Sequence, residues 1–448
     1  MKGHLDRFVR WLYPGLGVKR WLVLAACGAV LAVDGVERWI TAYGAHFEIN
    51  EHIDNIFDGV LPLWSLAPIF AFVGLILVVL GIRLWLRSIV RAVRPEGKNR
   101  IVDALFNLRL RRGYKIVAIG GGTGLSTLLR GLKRGTSNLT AIVTVSDDGG
   151  SSGRLQKELG ILPPGDIRNC LVALADNEAL VTALFQYRFS EGEGLAGHSF
   201  GNLFLAAMTG ITGNFDSAIK ESSRVLNIKG RVVPSTLDSV QLKATFADGT
   251  SVLGETNVSS SREPIIGLEL LPAHVRAFGE ALTAIREADA IVLGPGSLFT
   301  SILPNLLIPK IVREIAASSA AKIYVCNVMT QPGETDHMSA YDHVSRLFDV
   351  AGARVCDIAI VNVEPPRRLL GAYAEEGQAP VHADVKRIEA LGIRVLSAPV
   401  ISETVNVRHD PEKLADVVLR IVDDHVALRS SYTRGASRPS ARTLLQKS

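Results

Sequence analysis

The chain has 448 residues, 48% hydrophobic and 21% charged, enough for a large buried core and two or three folding units, which excludes an intrinsically disordered protein. Its formal charge is +5. The cations gather at the N-terminus, around residues 83 to 112 and in the C-terminal tail, flanking apolar segments, so they do not form a nucleic-acid surface. Cys27, Cys170, Cys326 and Cys356 stand far apart, without a CxxC pair or a compact Cys/His set. That spacing predicts reduced, mostly buried thiols in a cytosolic compartment.

Two N-terminal segments approach the roughly 20 apolar residues that cross a bilayer. They are "WLVLAACGAVLAVDGVERWI" (21–40) and "LPLWSLAPIFAFVGLILVVLGIRLWL" (61–86). Asp34, Glu37 and Arg38 shorten the first, whereas the second has no charge before Arg83 and carries Trp64 and Trp85 near its ends. Lys2, Arg7, Arg10, Lys19 and Arg20 precede the first segment, and Arg83, Arg87, Arg91, Arg94, Lys98 and Arg100 end or follow the second. The loop 41–60 between them has Glu48, Glu51, Asp54 and Asp58 and no Lys or Arg. The positive-inside bias therefore predicts a transmembrane helical hairpin over 1–86 with both termini and the main domain cytoplasmic. A basic juxtamembrane linker (87–112) would follow and meet anionic lipid. The alternative is a soluble helical hairpin.

From Tyr114 short β-branched runs alternate with helical stretches. Residues 114–120, 139–146, 290–296, 321–328 and 355–362 read as buried strands, and 124–134, 167–187, 201–212 and 273–288 as helices. This alternation predicts an α/β domain over 113–428, a Rossmann-like, mainly parallel sheet with helices on both faces. Residues 230–270 break the pattern with alternating residues and an Asp248-Gly249 turn, predicting a small antiparallel insertion. The polar, basic stretch 429–448 reads as a disordered tail.

"IVAIGGGTGLSTLLRGL" is strand, glycine turn and helix, an arrangement that brings backbone N–H groups to phosphate. A purely structural turn is the alternative. Counted from Gly120, the dinucleotide fingerprint puts Leu125 where its third glycine belongs, which disfavours NAD(P). After the second strand, Asp147 and Asp148 in "TVSDDGGSSGRL" can accept from a ribose hydroxyl, hold Mg²⁺ or cap a helix, and Ser151, Ser152 and Arg154 can bond an anion. In "LPPGDIRNC", Asp166 reads as a helix N-cap, with a site role shared with Arg168 and Asn169 equally open. His198 and Asn202 in "GHSFGNLF" lie one helical turn apart, with no second ligand at zinc spacing. Gly296 and Ser297 in "LGPGSLFTSILPNL" offer a second anion site, and Asn327 ends another strand. Loops of one character at four strand ends point to a shared cleft.

Together "IGGGTGLSTLLRGLK", "SDDGGSSGRL", "LPPGDIRNCLVALA", "GHSFGNL", "LGPGSLFTSILPNLL" and "CNVMTQPGET" resemble the YvcK family of gluconeogenesis factors, similar in fold to 2-phospho-L-lactate transferase. The resemblance covers residues 113 to 425 and leaves the hairpin outside it, as a segment absent from the plain soluble members. It implies binding of UDP-sugars, notably UDP-N-acetylglucosamine, and support of cell shape and envelope-precursor supply during gluconeogenic growth. It further implies that Gly121, Gly122, Thr123 and Gly124 face the diphosphate beside Asp147 and Asp148. Asp166, Asn169, His198 and Asn202 would line the cleft, Gly296 and Ser297 would close its other side, and Tyr373 and Arg408 would touch uridine or sugar. The leading expectation is a membrane-tethered sensor that contacts an enzyme of amino-sugar or peptidoglycan synthesis, with homo-oligomer formation left open. The alternative is a transferase of a phosphate-linked group, with Asp147 or Asp148 holding Mg²⁺.

Overall fold

Runs rich in Leu, Val, Ile and Ala form two N-terminal helices, with Pro68 in a first helical turn, where proline is tolerated. These are α1 (Lys19–Ala42) and α2 (Ala67–Val93). The computed structural model describes residues 19–42, 66–93, 109–176, 178–404 and 406–436. It divides into two compact units, with the boundary after Val102. Most of the acidic loop and of the basic linker lies outside the described residues.

In the first unit α1 and α2 run antiparallel with their backbones almost touching. A Cβ added at Gly35 would lie 2.4 Å from the Ala71 nitrogen, at Gly74 2.4 Å from the Ala32 nitrogen, and at Gly81 2.7 Å from the Ala25 nitrogen. Small residues therefore fill the seam, while Val23, Val30, Val33, Ile69, Phe72, Leu75 and Val79 point outward and are exposed. A helix pair in water does the reverse, burying large side chains; small seams with apolar exteriors are the packing used in lipid. Arg38 Nε donates to both oxygens of Asp34 at 3.1 and 3.0 Å, which pairs two of the three charges that interrupt α1. Among the described residues only Ala67–Ser88 is long and apolar enough to cross a membrane, so α1 does not meet that criterion alone.

The second unit contains β1 (Ile116–Gly120), α3 (Gly122–Leu132), β2 (Leu139–Val143), α4 (Gly150–Leu159), α5 (Gly165–Leu174), α6 (Glu178–Gln186), α7 (Phe200–Thr212) and α8 (Phe215–Val225). It continues with β3 (Arg231–Pro234), β4 (Gln241–Phe246), β5 (Ser251–Leu253), α9 (Glu255–Ser260), β6 (Ile265–Leu271), α10 (Gly279–Glu287) and β7 (Ala290–Leu293). A π-helical turn (Leu298–Ile302) leads to α11 (Leu303–Leu306), α12 (Pro309–Ala317), β8 (Ala321–Val325), α13 (Ala340–Ala351) and β9 (Ile358–Asn362). The chain then forms α14 (Leu370–Glu375), α15 (Val385–Ala390), β10 (Arg394–Ala398), β11 (Ile401–Glu403), β12 (Val407–His409) and α16 (Pro411–Ala436).

Seven strands form one parallel, Rossmann-like sheet in the order β10-β9-β8-β7-β1-β2-β3. Its interior strands are buried on both faces, which is why they read as unbroken apolar runs. All five strands expected from the sequence are present. β3 and β10 are additional, and β3 removes residues 231–234 from the expected insertion and makes them a sheet edge. The insertion proper is the antiparallel sheet β5-β4-β6 with α9. The expected helix 167–187 is two helices, broken at Ala175, whose backbone is extended and bridges to Ile228. α16 runs through Ala436, into the stretch read as a tail; residues 437–448 lie outside the described residues.

Gly74→Leu forces the α1 and α2 backbones apart, an overpacking cost of about 1–3 kcal/mol or more. The expected outcome in detergent is faster amide exchange in both helices with an unchanged melting temperature of the second unit. Unaltered exchange would mean that the small-residue seam does not hold the hairpin.

Candidate functional site

The order of strands reverses at β1, because the chain moves outward through β2 and β3 and returns on the other flank through β7 to β10. In open α/β sheets a crevice opens beyond the C-terminal ends of the strands at such a point. Here the loops after β1 and β7 meet there. A Cβ on Gly124 would lie 2.5 Å from the Pro295 carbonyl oxygen, and one on Gly121 2.4 Å from Asp166 Oδ2, so both positions require glycine. Gly121 caps α3 without a side-chain bond, leaving a helix N-terminus with its partial positive charge facing the crevice.

A cavity of about 620 Å³ opens at this point. Gly121, Gly122, Thr123 and Gly124 line one side with Asp166, and Gly296, Ser297 and Asn327 line the other. Tyr373 and Arg408 also line the cavity. The second side is cross-braced: Gly296 N–H donates to Asn327 Oδ1 at 3.4 Å, and Gln331 Nε2 donates to Ser297 Oγ at 2.8 Å. The Val407 N–H donates to the Tyr373 hydroxyl at 3.0 Å, tying α14 to β12 beside Arg408. Among the described residues, the Arg408 guanidinium has neither an ion-pair nor a hydrogen-bond partner.

The other seven expected site residues are not among those that line this cavity. Asp148 Oδ1 accepts from the Thr256 N–H and hydroxyl, each at 2.9 Å, and Asp147 Oδ1 accepts from the Gly149 N–H at 2.9 Å. Asp148 thereby anchors α9, as does Glu334, whose Oε1 accepts from Ser259 Oγ at 3.1 Å. The docked helix places Glu255, a residue the sequence reading missed, on the cavity wall. Asn202 Nδ2 donates to Ser151 Oγ at 3.0 Å and Ser152 Oγ at 3.4 Å, and the Ser151 hydroxyl is hydrogen-bonded to His198 Nδ1 at 2.9 Å. Arg168 donates to Ser199 Oγ, Asn202 Oδ1 and Asn169 Oδ1 at 2.6 to 3.1 Å. This network binds α4, α5 and α7 into one support; it does not line the cleft. Asp166 is not an N-cap either. Pro164 holds that position, and Asp166 sits in the first turn with its carboxylate against the glycine loop.

Burial, then the charge of Asp147, push the Asp166 carboxyl up to about 7, against the opposing Gly122 N–H and Arg168. Burial, then Asp166 and Asp147, raise Glu255 well above the usual carboxylate range, and burial takes His409 down to about 4. The inner wall near neutral pH thus holds protonated or half-protonated carboxyls and a neutral imidazole, leaving Arg408 and the α3 N-terminus as its positive elements. Asp148 Oδ1, one of the two oxygens of the carboxylate considered for a divalent ion, is engaged by α9. No three His, Cys, Asp or Glu side chains among the described residues are arranged to hold a metal.

The family profile described as 2-phospho-L-lactate transferase CofD matches residues 116–401. The chain belongs to this CofD family. Within it the chain is similar to the gluconeogenesis factors: the "Gluconeogenesis factor" of Bacillus subtilis is 49% identical over 312 residues, which are 69% of this chain and 98% of that protein. A Nostoc sp. relative, carrying the same designation in provisional form, is 46% identical over 423 residues, 93% of either chain. The crystal structure of a upf0052-family protein from Bacillus halodurans has 48% identity and a TM-score of 0.66, covering 68% of this chain and 99% of that one. Coverage of 93% leaves roughly 31 of 448 residues unmatched, so the Nostoc match reaches well into the N-terminal unit. The motifs alone left the N-terminal segment outside the family resemblance; the Nostoc match extends into it.

Two outcomes check the site. Because folded Asp166 holds its proton more tightly than the unfolded chain, its contribution to stability falls as pH rises from about 4 to about 7 and levels off above. Asp166→Asn should flatten that slope and stabilise the protein at pH 8 by roughly 4 kcal/mol or less in urea titrations. Asp148→Ala should release α9, seen as faster amide exchange over residues 254–260 at a cost of about 1–3 kcal/mol.

Proposed function

We propose that the protein is a membrane-anchored regulator whose cleft binds a UDP-sugar, UDP-N-acetylglucosamine being the expected ligand. The observation that carries this reading is the uncapped α3 N-terminus opening into the cavity at the strand-order reversal. Such an N-terminus accepts phosphate, and a volume of about 620 Å³ suits a ligand of nucleotide-sugar size. Arg408, a cavity-lining residue without an ion-pair partner among the described residues, supplies a cation for a diphosphate or for a polar sugar group. On the family's implication, ligand occupancy reports envelope-precursor supply during gluconeogenic growth and sets contact with an enzyme of amino-sugar or peptidoglycan synthesis, with effects on cell shape.

The inverted packing of α1 and α2 supports the anchor, with two spans and with both termini and the second unit in the cytoplasm. Pairing of Asp34 with Arg38 lowers the cost of placing α1 in lipid beside α2. Resistance of the full chain to alkaline extraction from membranes is the expected result, and release into the supernatant would contradict the anchor.

A second reading is favoured by the raised carboxyls of Asp166 and Glu255 beside the glycine loop, which are placed to handle protons during transfer of a phosphate-linked group. Calorimetry of the full chain in detergent with UDP-N-acetylglucosamine, with and without Mg²⁺, separates the two. Saturable binding without Mg²⁺ and without loss of the nucleotide supports the regulator, Mg²⁺-dependent consumption supports a transferase, and no heat with either removes both. Arg408→Ala should weaken binding about ten- to a hundredfold, the worth of a charge-assisted hydrogen bond.

A further inference from the structure

One wall of the cavity is held differently from the rest. From Arg367 to Pro380 no side chain is buried, yet Leu369, Ala372, Tyr373, Glu376 and Gln378 line the cavity. α14, in the middle of this stretch, has six residues. A helix that short, without a buried face, does not stand alone in water. Its hold on the rest of the unit comes from its flanks. The Glu403 carboxylate accepts from three consecutive N–H groups that lead into α14, those of Arg367 at 2.8 Å, Arg368 at 2.7 Å and Leu369 at 3.2 Å, and the Arg368 guanidinium bonds the Glu403 carbonyl. Beyond α14, Thr330 Oγ1 accepts from the Ala379 N–H at 2.9 Å, and the Thr330 N–H donates to the Ala379 carbonyl at 2.8 Å.

Between these two anchors the Tyr373 hydroxyl makes the stretch's one hydrogen bond to the rest of the unit among the described residues, from the Val407 N–H. Val407 on β12 is itself paired in register with Glu403 on β11. The same hairpin carries Arg408, which lines the cavity, whereas Glu403 does not line it and reaches a ligand only through the stretch it holds. The glycine-loop wall is fixed by backbone packing, and the wall with Ser297 is braced by Gln331. That leaves 367–378 as the wall free to move, since segments with few buried contacts open most easily and serve as lids over ligands. Building on the UDP-sugar reading of the cavity, we propose that Glu403 is a positioning residue of the cleft, clamping residues 367–378 as a strap that closes over the bound nucleotide-sugar. Closure of this kind governs how long the ligand stays more than how fast it arrives.

The test compares the full chain in detergent with its Glu403→Ala and Glu403→Gln variants, using UDP-N-acetylglucosamine as the probe. In the unaltered chain the ligand should slow amide exchange over residues 367–378. Glu403→Ala should speed that exchange without ligand and raise the ligand's dissociation rate about tenfold in stopped-flow measurements, with stoichiometry unchanged. Glu403→Gln keeps the side-chain length and one acceptor oxygen, so its dissociation rate should fall between the two, about threefold above the unaltered chain. A merely structural role would lower the fraction of chains that bind and leave the dissociation rate as it was. If Glu403→Ala does not fold, Glu403→Gln decides alone. Binding by the unaltered chain with no slowing over 367–378, or with dissociation unchanged in the variants, would overturn the strap and leave the UDP-sugar reading standing. No binding by the unaltered chain would overturn both.

Discussion

The cleft depends on one close approach, that of the loop after β1 to the loop after β7. Parallel pairing of Ile116–Ile119 with Ala290–Leu293 brings the two strand ends level, and the missing Cβ of Gly124 lets the α3 N-terminus settle against the Pro295 carbonyl. From that contact follow the position of Ser297 across the cavity and the room that Asp166 finds beside Gly121. A methyl group would overlap the Pro295 carbonyl at Gly124 and the Asp166 carboxyl at Gly121. The helix dipole is thus aimed by backbone packing, and no charged side chain is needed to aim it.

Behind this rim the polar residues divide by role. Asp166 and Glu255 line the cavity and are pushed toward their protonated forms by burial first, then Asp166 by Asp147 and Glu255 by Asp166 and Asp147. Asp147, Asp148, Ser151, Ser152, Asn169, His198 and Asn202 hold helices in place, bonding one another and the backbone. The distinction matters chemically: a buried carboxyl raised by neighbouring carboxylates responds to any charge placed nearby.

Much of this was legible in the sequence where the signal is local. Continuous β-branched runs gave away β1, β2, β7, β8 and β9, because buried parallel strands have no polar face to interrupt them. β3, only "RVVP", is too short and too near turn residues to stand out, and "RVLSA" in β10 is half exposed. The glycine loops were readable since few other residues tolerate such approaches. Which side of a turn faces the cavity was not readable, and the Asp147–Ser152 stretch and His198 are not among the residues that line it. Glu255 left no signal at all, because its position is set by Asp148 holding Thr256 across 108 residues of chain. The seam of the N-terminal pair did carry a pattern, glycines seven apart at 28 and 35 and at 74 and 81, but its meaning appears only when small residues are seen inside and large ones outside.

The central claim is that one ligand contacts both sheet-end loops together. Hydrogen exchange of the full chain, with and without UDP-N-acetylglucosamine, tests this most directly. The account predicts that amides of residues 121–126 and of residues 296–301 slow together at one ligand concentration, while those of α4 and α7 are unchanged. Protection confined to one loop, or to the α4–α7 support, would contradict it.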